Sequence, residues 1–205
     1  YNNYYFERHK ALWELVGRRR LSMIFNGCDI LACAEDLGHN PSCVGNVLEQ
    51  LRIPTLEIQT MPKTYGQLFA NLEDNPYRSV ATIFTHDMPT LREWWREDPE
   101  RAQLYYRHVL HHGGEAPADM PGWLCTEVVE RHIASPSMLC LLSMQDWLST
   151  NETLRHPDPM AERINIPANA HHYWRYRMHV TLEQLSSARE WCMQLRNMIA
   201  QSGRL

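Results

Sequence analysis

The sequence has few of the features that mark specialised classes of protein. Its six cysteines form no CxxC pair and no spacing typical of a metal site. No stretch approaches the ~18 consecutive apolar residues of a membrane span. The first ten residues are polar and aromatic, unlike the charged and then apolar pattern of a signal peptide. We therefore expect no metal, no other cofactor and no membrane partner.

The composition is that of an ordinary globular protein. The 205 residues are 44% hydrophobic and 21% charged, which is enough for one well-packed core. The formal net charge of −4 argues against a nucleic-acid partner. Cysteines within apolar runs predict reduced, structural thiols and hence a cytoplasmic location. Since the chain begins with Tyr1 and not Met, we expect it to be a piece of a longer protein.

Three short apolar runs each lead into polar, acidic residues. Residues 30–34 precede Glu35 and Asp36, residues 79–84 precede His86 and Asp87, and residues 138–144 precede Gln145 and Asp146. Continuous apolar runs of this length are typical of strands buried on both faces, as in a parallel sheet. In a (β/α) barrel the active site lies at the carboxyl ends of such strands. Paired carboxylates there favour acid/base chemistry on a glycosidic bond.

The order of predicted elements indicates an α/β fold. Amphipathic spacing predicts helices over about 8–25, after Pro41, from Thr90, and over about 100–112, 122–134 and 180–200. We expect strands near 29–34, 55–59, 79–84 and 138–144, and a long loop with a closing helix over 150–205. Four strands are half of a complete barrel, which needs ~250 residues. The chain is therefore either a small open sheet or the C-terminal half of a larger barrel.

Six motifs are spread along almost the whole chain: AEDLG at 34–38, IPTLEIQ at 53–59, THDMPTL at 85–91, SMQDWL at 143–148, ERINIP at 162–167 and YWRYR at 173–177. In this order they resemble motifs of the 4-alpha-glucanotransferases, the amylomaltases and disproportionating enzymes. The segments MPTLREWW at 88–95 and HYWRYRM at 172–178 are most similar to the branch that includes the plant cytosolic enzyme and related bacterial proteins.

The resemblance implies a retaining transglycosylase that passes α-1,4-glucan segments between maltodextrins through a covalent glycosyl-enzyme. It makes Glu35 the general acid/base and Asp87 a catalytic carboxylate that favours the oxocarbenium-like state. It also makes a set of polar residues candidates for substrate binding: His86, Asp36, Gln145, Asp146 and Asn165. Residues 1–205 would then form the C-terminal half of a (β/α)8 TIM-like barrel.

The nucleophile of this family has no counterpart here. It belongs to an Arg-x-Asp-His type of motif, which the sequence lacks. Asp29 lies at the start of a predicted strand, which is the wrong end of a barrel. We therefore expect the nucleophile upstream, and these 205 residues alone to be inactive. The open edges of a half-barrel also predict self-association.

Other roles stay open for most of these residues. Glu35 could form a structural salt bridge, Asp87 and Asp146 could cap a turn or helix, and Asn165 could stabilise its loop. The histidines at 108, 111 and 112 fit a solvated helix end better than a metal site, and those at 171 and 172 fit the same interpretation. Trp94 and Trp95 fit helix packing better than a sugar platform.

Two other classes of function are weaker hypotheses. The chain could be a non-catalytic glucan-binding fragment that uses its aromatic residues, although such a module needs no general acid. A serine or cysteine hydrolase is also conceivable, but the sequence has no GxSxG motif.

Overall fold

The computed structural model describes residues 2–204 and has an α/β architecture, as the sequence predicts. The chain divides into two compact units. The first comprises residues 1–81 and 136–139, and the second comprises residues 82–135 and 140–205. None of the helices within residues 2–204 combines the length and the apolar character needed to cross a lipid bilayer.

The first unit contains three helices and most of a small sheet. The helices are α1 (Asn2–Tyr5), α2 (Lys10–Gly27) and α3 (Cys43–Gln50), and a short 3₁₀ helix spans Leu72–Asp74. Strands β1 (Thr55–Ile58), β2 (Ser79–Thr82) and β3 (Leu139–Cys140) form a parallel sheet in the order β1-β2-β3. Because neighbours in the sheet are also neighbours in the chain order, the connections need no crossing of strands.

A buried polar cluster fixes the start of the sheet. The Ser79 hydroxyl donates to Ser137 Oγ at 2.7 Å, and Asn75 Nδ2 donates to the same oxygen at 3.0 Å. The Met138 amide donates to the Tyr77 carbonyl at 2.7 Å. Since all these groups are bonded, they add directional contacts to the apolar packing around Val80 and Ala81.

The predicted strand over 29–34 is wrong. Residues 28–30 form a bend and residues 31–37 have no regular structure. The Ala34 amide still donates to the Pro54 carbonyl at 2.8 Å, but the next bond along β1 runs from the Leu56 amide to Asp36 Oδ1, at 2.9 Å. A side-chain oxygen thus takes the place of a backbone carbonyl, so the segment lies beside β1 without continuing the ladder.

The other three predicted strands exist but are shorter than expected. Residues 55–59 and 79–84 contain β1 and β2, whereas residues 138–144 contain only the two residues of β3. The last run is cut short because Ser143 begins a helix. Ser143 Oγ accepts from the Asp146 amide at 3.1 Å, and Asp146 Oδ2 accepts from the Ser143 amide at 2.9 Å, which is a capping box.

The second unit is mainly helical. Its helices are α4 (Leu91–Glu97), α5 (Pro99–His108), α6 (Gly122–Ile133), α7 (Met144–Ser149), α8 (Leu182–Ser187) and α9 (Arg189–Gln201), with a 3₁₀ helix over Pro159–Glu162. Five of them lie in segments predicted to be helical, so periodicity located the helices well. Residues 150–181 otherwise form the predicted long loop.

Buried apolar side chains pack the helices of the second unit. Trp94 and Trp95 are buried, which confirms helix packing as their role, and Leu124 and Val128 of α6 are completely buried. Leu148, Val180 and Trp191 form an apolar cluster, and Leu154 and Met178 of the long loop pack against it.

Candidate active site

The turn that follows β2 presents His86 and Asp87 to solvent. The Met88 amide donates to the Thr85 carbonyl at 3.1 Å, and this bond closes the turn. The His86 and Asp87 side chains are 50% and 47% exposed, and His86 Nε2 lies 3.5 Å from Asp87 Oδ1. An imidazole and a carboxylate are therefore held close together where a ligand can reach both.

Asn165 of the long loop binds this turn at two points. Its backbone amide donates to the His86 carbonyl at 3.2 Å, and its Nδ2 donates to Asp87 Oδ1 at 2.6 Å. Asp87 Oδ2 has no hydrogen-bond donor within residues 2–204. One oxygen of the carboxylate thus fixes its orientation, and the other is available to a ligand. The fold thus brings Asn165 and Asp87 together, although they lie 78 positions apart in the chain.

An exposed aromatic ring lies beside His86. The ring centroids of His86 and Trp174 are 5.0 Å apart and their planes are inclined by 51°. The Trp174 side chain is mostly exposed. An indole face next to hydrogen-bonding side chains suits the apolar face and the hydroxyl groups of a pyranose ring. Trp174 lies within the YWRYR motif, but nothing in the sequence predicted a role for it in the site.

Arg163 ties the Asn165 segment to helix α4. Its Nε donates to the Asn165 carbonyl at 3.1 Å, and its Nη1 donates to Glu93 Oε1 at 3.0 Å. Glu93 is completely buried. Burial raises the pKa of Glu93, and the Arg163 guanidinium opposes that shift. The pair therefore anchors the loop that orients Asp87.

A second buried ion pair supports the same loop. Arg92 Nη1 lies 3.4 Å from Glu162 Oε2 and donates to the His156 carbonyl at 2.7 Å. Burial lowers the pKa of Arg92 and raises that of Glu162. Nothing in the sequence assigned a role to Arg92, Glu93, Glu162 and Arg163 as a group. The TLRE residues at 90–93 have the spacing of a capping box, but such a local signal gives no sign of partners 70 residues away.

Gln145 and Asp146 lie at the start of α7 and are buried. Gln145 Nε2 donates to the Glu162 carbonyl at 3.1 Å. Burial raises the pKa of Asp146 to about 6, while the hydrogen bonds from Ser143 oppose the shift. Both residues and His86 line a cavity of about 150 Å³. The capping role left open for Asp146 is thus the one that its contacts show.

Glu35 and Asp36 belong to the first unit. Glu35 is exposed, and the apolar run before it is exposed as well, with Ile30 at 63% and Leu31 at 58%. Asp36 Oδ2 accepts from Lys63 Nζ at 2.7 Å, and its Oδ1 accepts from the Leu56 amide. Both oxygens of Asp36 are thereby engaged with protein groups. Glu35 itself stays a predicted catalytic residue.

The described residues offer no centre for a metal ion. Within residues 2–204 no three His, Cys, Asp or Glu side chains come together as a metal site would need. In the histidine group near 110, His112 Nε2 instead lies 2.7 Å from Glu127 Oε2. Its ring also stacks on Tyr106 with centroids 4.8 Å apart.

Comparison with known proteins places this geometry in a family. The family model described as 4-alpha-glucanotransferase matches residues 1–183. The chain is 34% identical over 204 residues to the 4-alpha-glucanotransferase DPE2 of Oryza sativa subsp. japonica, covering 100% of this chain and 22% of the rice protein. It is 28% identical over 186 residues to the 4-alpha-glucanotransferase of Chlamydia trachomatis, covering 89% of this chain and 35% of that protein.

A solved structure has a similar fold. The amylomaltase from Streptococcus agalactiae, determined in complex with acarbose, superposes with a TM-score of 0.64 at 19% identity, covering 84% of this chain and 32% of that one. The chain thus spans between about a fifth and a third of the length of the proteins that it matches. Because the family model covers most of its residues, the chain belongs to the 4-alpha-glucanotransferase family.

Proposed function

We propose that this chain is part of a retaining 4-alpha-glucanotransferase that moves α-1,4-glucan segments between maltodextrins. The observation that carries the proposal is the 2.6 Å hydrogen bond from Asn165 to Asp87, in a chain of this family. It joins two of the motifs, 78 residues apart, and leaves one carboxylate oxygen and the neighbouring imidazole open to a sugar ring.

The proposed reaction has two steps. In the first, a carboxylate nucleophile attacks the anomeric carbon, and Glu35 protonates the glycosidic oxygen of the departing chain. In the second, Glu35 takes the proton from the 4-hydroxyl group of the acceptor, whose oxygen attacks the same carbon and releases the nucleophile. No residue of this chain matches the family's nucleophile motif. The 205 residues alone are therefore proposed to be inactive.

Asp87 would act on the sugar ring itself. With Oδ1 held by Asn165, the other oxygen can accept a hydrogen bond from a ring hydroxyl. A negative charge at that position favours the positive charge that develops on the ring in the transition state. His86 would bind the same sugar, and the Trp174 face would pack against its apolar side.

We further propose that the sheet belongs to a (β/α)8 barrel, of which this chain supplies the C-terminal half. The fold likeness to the amylomaltase supports this proposal. The exposed Ile30 and Leu31 would then pack against other parts of the barrel.

The experiment is maltotriose disproportionation by the intact protein, meaning the longer enzyme of which this chain is proposed to be a part, and by its Glu35→Gln variant. We expect glucose and a ladder of longer maltodextrins from the unmodified protein, and a loss of at least about 100-fold in the variant, because general acid/base groups contribute 10²–10⁴-fold. Glu49→Gln, an exposed glutamate on α3, is the matched control and should keep its activity.

Three outcomes would contradict parts of the proposal. A ladder that persists in Glu35→Gln would mean that Glu35 is structural. Disproportionation by residues 1–205 alone would place the nucleophile within them. Glucan binding without any transfer by the intact protein would favour a glucan-binding module.

A further inference from the structure

The loop after the candidate site carries a local excess of positive charge. Between Arg163 and Leu182 the sequence has three arginines and three histidines but no aspartate or glutamate. The whole chain has a net charge of −4, so this stretch is more positive than the chain as a whole. An α-1,4-glucan is uncharged and gives no reason for a stretch that has arginines and no carboxylate.

The loop folds around a cavity of about 360 Å³. No acidic residue lines it. The side chains that matter here are two arginines, two histidines and two tyrosines: Arg175, Arg177, His171, His172, Tyr173 and Tyr176. The cavity lies entirely within the second unit and is distinct from the smaller one that His86 and Asp146 line, although Ile164 contributes to both.

Two of the arginines in this cavity are available to a ligand. Arg163 is engaged by Glu93 and Glu97, at 3.0 and 3.3 Å. Arg175 and Arg177, in contrast, are exposed and form no ion pair with any carboxylate of residues 2–204. An unpaired guanidinium presents several N–H donors in a plane, a geometry that matches phosphate oxygens.

The tyrosines supply the other half of a sugar-phosphate site. Tyr173 is 74% exposed, so its ring can pack against a pyranose. The Tyr176 hydroxyl is buried without a hydrogen-bond partner in the described part of the chain. Burial raises the pKa of Tyr176, so its O–H remains a donor at neutral pH. A buried donor without an acceptor costs free energy that a ligand oxygen would recover.

We infer that this cavity binds a phosphate monoester of a glucose unit, with Arg175 and Arg177 on the phosphate and Tyr173 against the sugar ring. The choice of glucose as the sugar rests on the proposed function, whereas the choice of an anion rests on the cavity alone. The ligand could be a free hexose phosphate or a phosphorylated residue within a glucan.

The test is isothermal titration of the intact protein with glucose 6-phosphate and, separately, with glucose, at low ionic strength. We expect measurable binding of glucose 6-phosphate and binding of glucose at least tenfold weaker. The double variant Arg175→Gln/Arg177→Gln should weaken glucose 6-phosphate binding by at least about tenfold, since charge-assisted hydrogen bonds are the stronger class. Arg196→Gln, an exposed arginine of α9, should leave the binding unchanged.

Three results would overturn the inference: equal binding by the double variant and the unmodified protein, equal weakening by Arg196→Gln, or glucose binding as tightly as glucose 6-phosphate. Repeating the titration in the Glu35→Gln background separates this inference from the proposed function, because the anion site does not need the transfer reaction. If the Glu35→Gln variant binds glucose 6-phosphate as tightly as the unmodified protein, the result supports the anion site. Loss of that binding would contradict the inference.

A last comparison identifies the source of the ligand. Phosphorylated maltodextrin and the same maltodextrin after phosphatase treatment are titrated in parallel. Tighter binding of the phosphorylated glucan than of glucose 6-phosphate assigns the site to a glucan. The reverse order assigns it to a free hexose phosphate, and both orders support a site for the phosphate monoester. The inference is contradicted if phosphatase treatment leaves the affinity for maltodextrin unchanged and glucose 6-phosphate does not bind.

Discussion

Helix α6 of the second unit buries seven of its twelve residues, whereas none of the α2 side chains in the first unit is buried. The two candidate catalytic carboxylates, Asp87 and Glu35, differ in the same way. The Asp87 side chain is oriented by Asn165, whose segment is anchored through Arg163 to the buried Glu93. Glu35 follows an irregular and exposed segment.

This difference concerns how firmly each unit holds its proposed catalytic carboxylate. A carboxylate on a loop that is tied to a packed helix keeps its direction, which transition-state stabilisation requires. A carboxylate on a segment with exposed apolar residues has less to hold it. We therefore expect substitutions in the packed second unit that supports Asp87 to lower the stability strongly. Substitutions in the exposed parts of the first unit, to which Glu35 belongs, should lower it only weakly.

The largest difference is expected between two cations, one in each unit. Arg163→Gln leaves the buried Glu93 without its partner and should lower the free energy of unfolding by about 3–5 kcal/mol. Arg18 pairs with Glu14 at 2.8 Å on α2, and their side chains are 47% and 28% exposed. Arg18→Gln should therefore cost only about 1 kcal/mol or less. Urea unfolding measures both values.

Salt provides the control for this pair. The cost of Arg18→Gln should shrink at 1 M salt, since exposed charges are screened, and the cost of Arg163→Gln should persist. If the two substitutions lower the free energy of unfolding equally, the proposed difference in packing between the two units is wrong.

The next difference concerns one leucine in each unit. Leu124 of α6 is completely buried and Leu15 of α2 is 66% exposed. Leu124→Ala should destabilise the protein by about 2–5 kcal/mol, because it removes buried apolar surface and leaves a cavity. Leu15→Ala should change the stability by no more than about 0.5 kcal/mol. Thermal unfolding of both variants is the measurement. A large cost for Leu15→Ala would show that another part of the protein covers α2.

The smallest effect is a pH dependence confined to the second unit. The pKa of Asp146 is raised to about 6 in the folded state, above its value in the unfolded chain. The folded protein thus holds this proton more tightly, and the stabilisation present below pH 4 is lost as the pH rises through 6. Between pH 4 and pH 7 this loss should be about 2 kcal/mol.

Asp146→Asn provides the control for that effect. Asparagine keeps an oxygen for the Ser143 amide but does not titrate, so the variant should lose this part of the pH dependence. Urea midpoints at pH 4, 5, 6 and 7 measure it. An unchanged pH profile in the variant would mean that Asp146 does not control it.

The helices could be predicted from the sequence because each has local signals. Apolar spacing located α2, α3 and α6. Asn40-Pro41 predicts an N-cap and a first helical residue for α3, but the helix begins at Cys43 with Ser42 as its N-cap, two residues later. The short strand at 138–144 could also have been corrected, since Ser143 and Asp146 have the spacing of a capping box.

The contacts around the candidate site could not be predicted in this way. The Arg163–Glu93 pair joins residues 70 positions apart, and nothing in the local pattern links them. The irregular segment at 31–37 could not be foreseen for a similar reason. The Asp36 side chain takes the bond that a strand would have made, which depends on where β1 lies. The motifs identified the family, but tertiary contacts set the geometry of each side chain.

The most direct test of the central claim is maltotriose disproportionation by the Asp87→Asn variant of the intact protein, beside Asp119→Asn. Asp119 is an exposed aspartate paired with Arg96, so the second variant controls for the loss of one surface carboxylate. We predict that Asp87→Asn lowers kcat by about 1,000-fold, the upper range for removal of one stabilising group, with an unchanged unfolding midpoint. Asp119→Asn should retain its activity. A maltodextrin ladder of normal rate from Asp87→Asn would contradict the account.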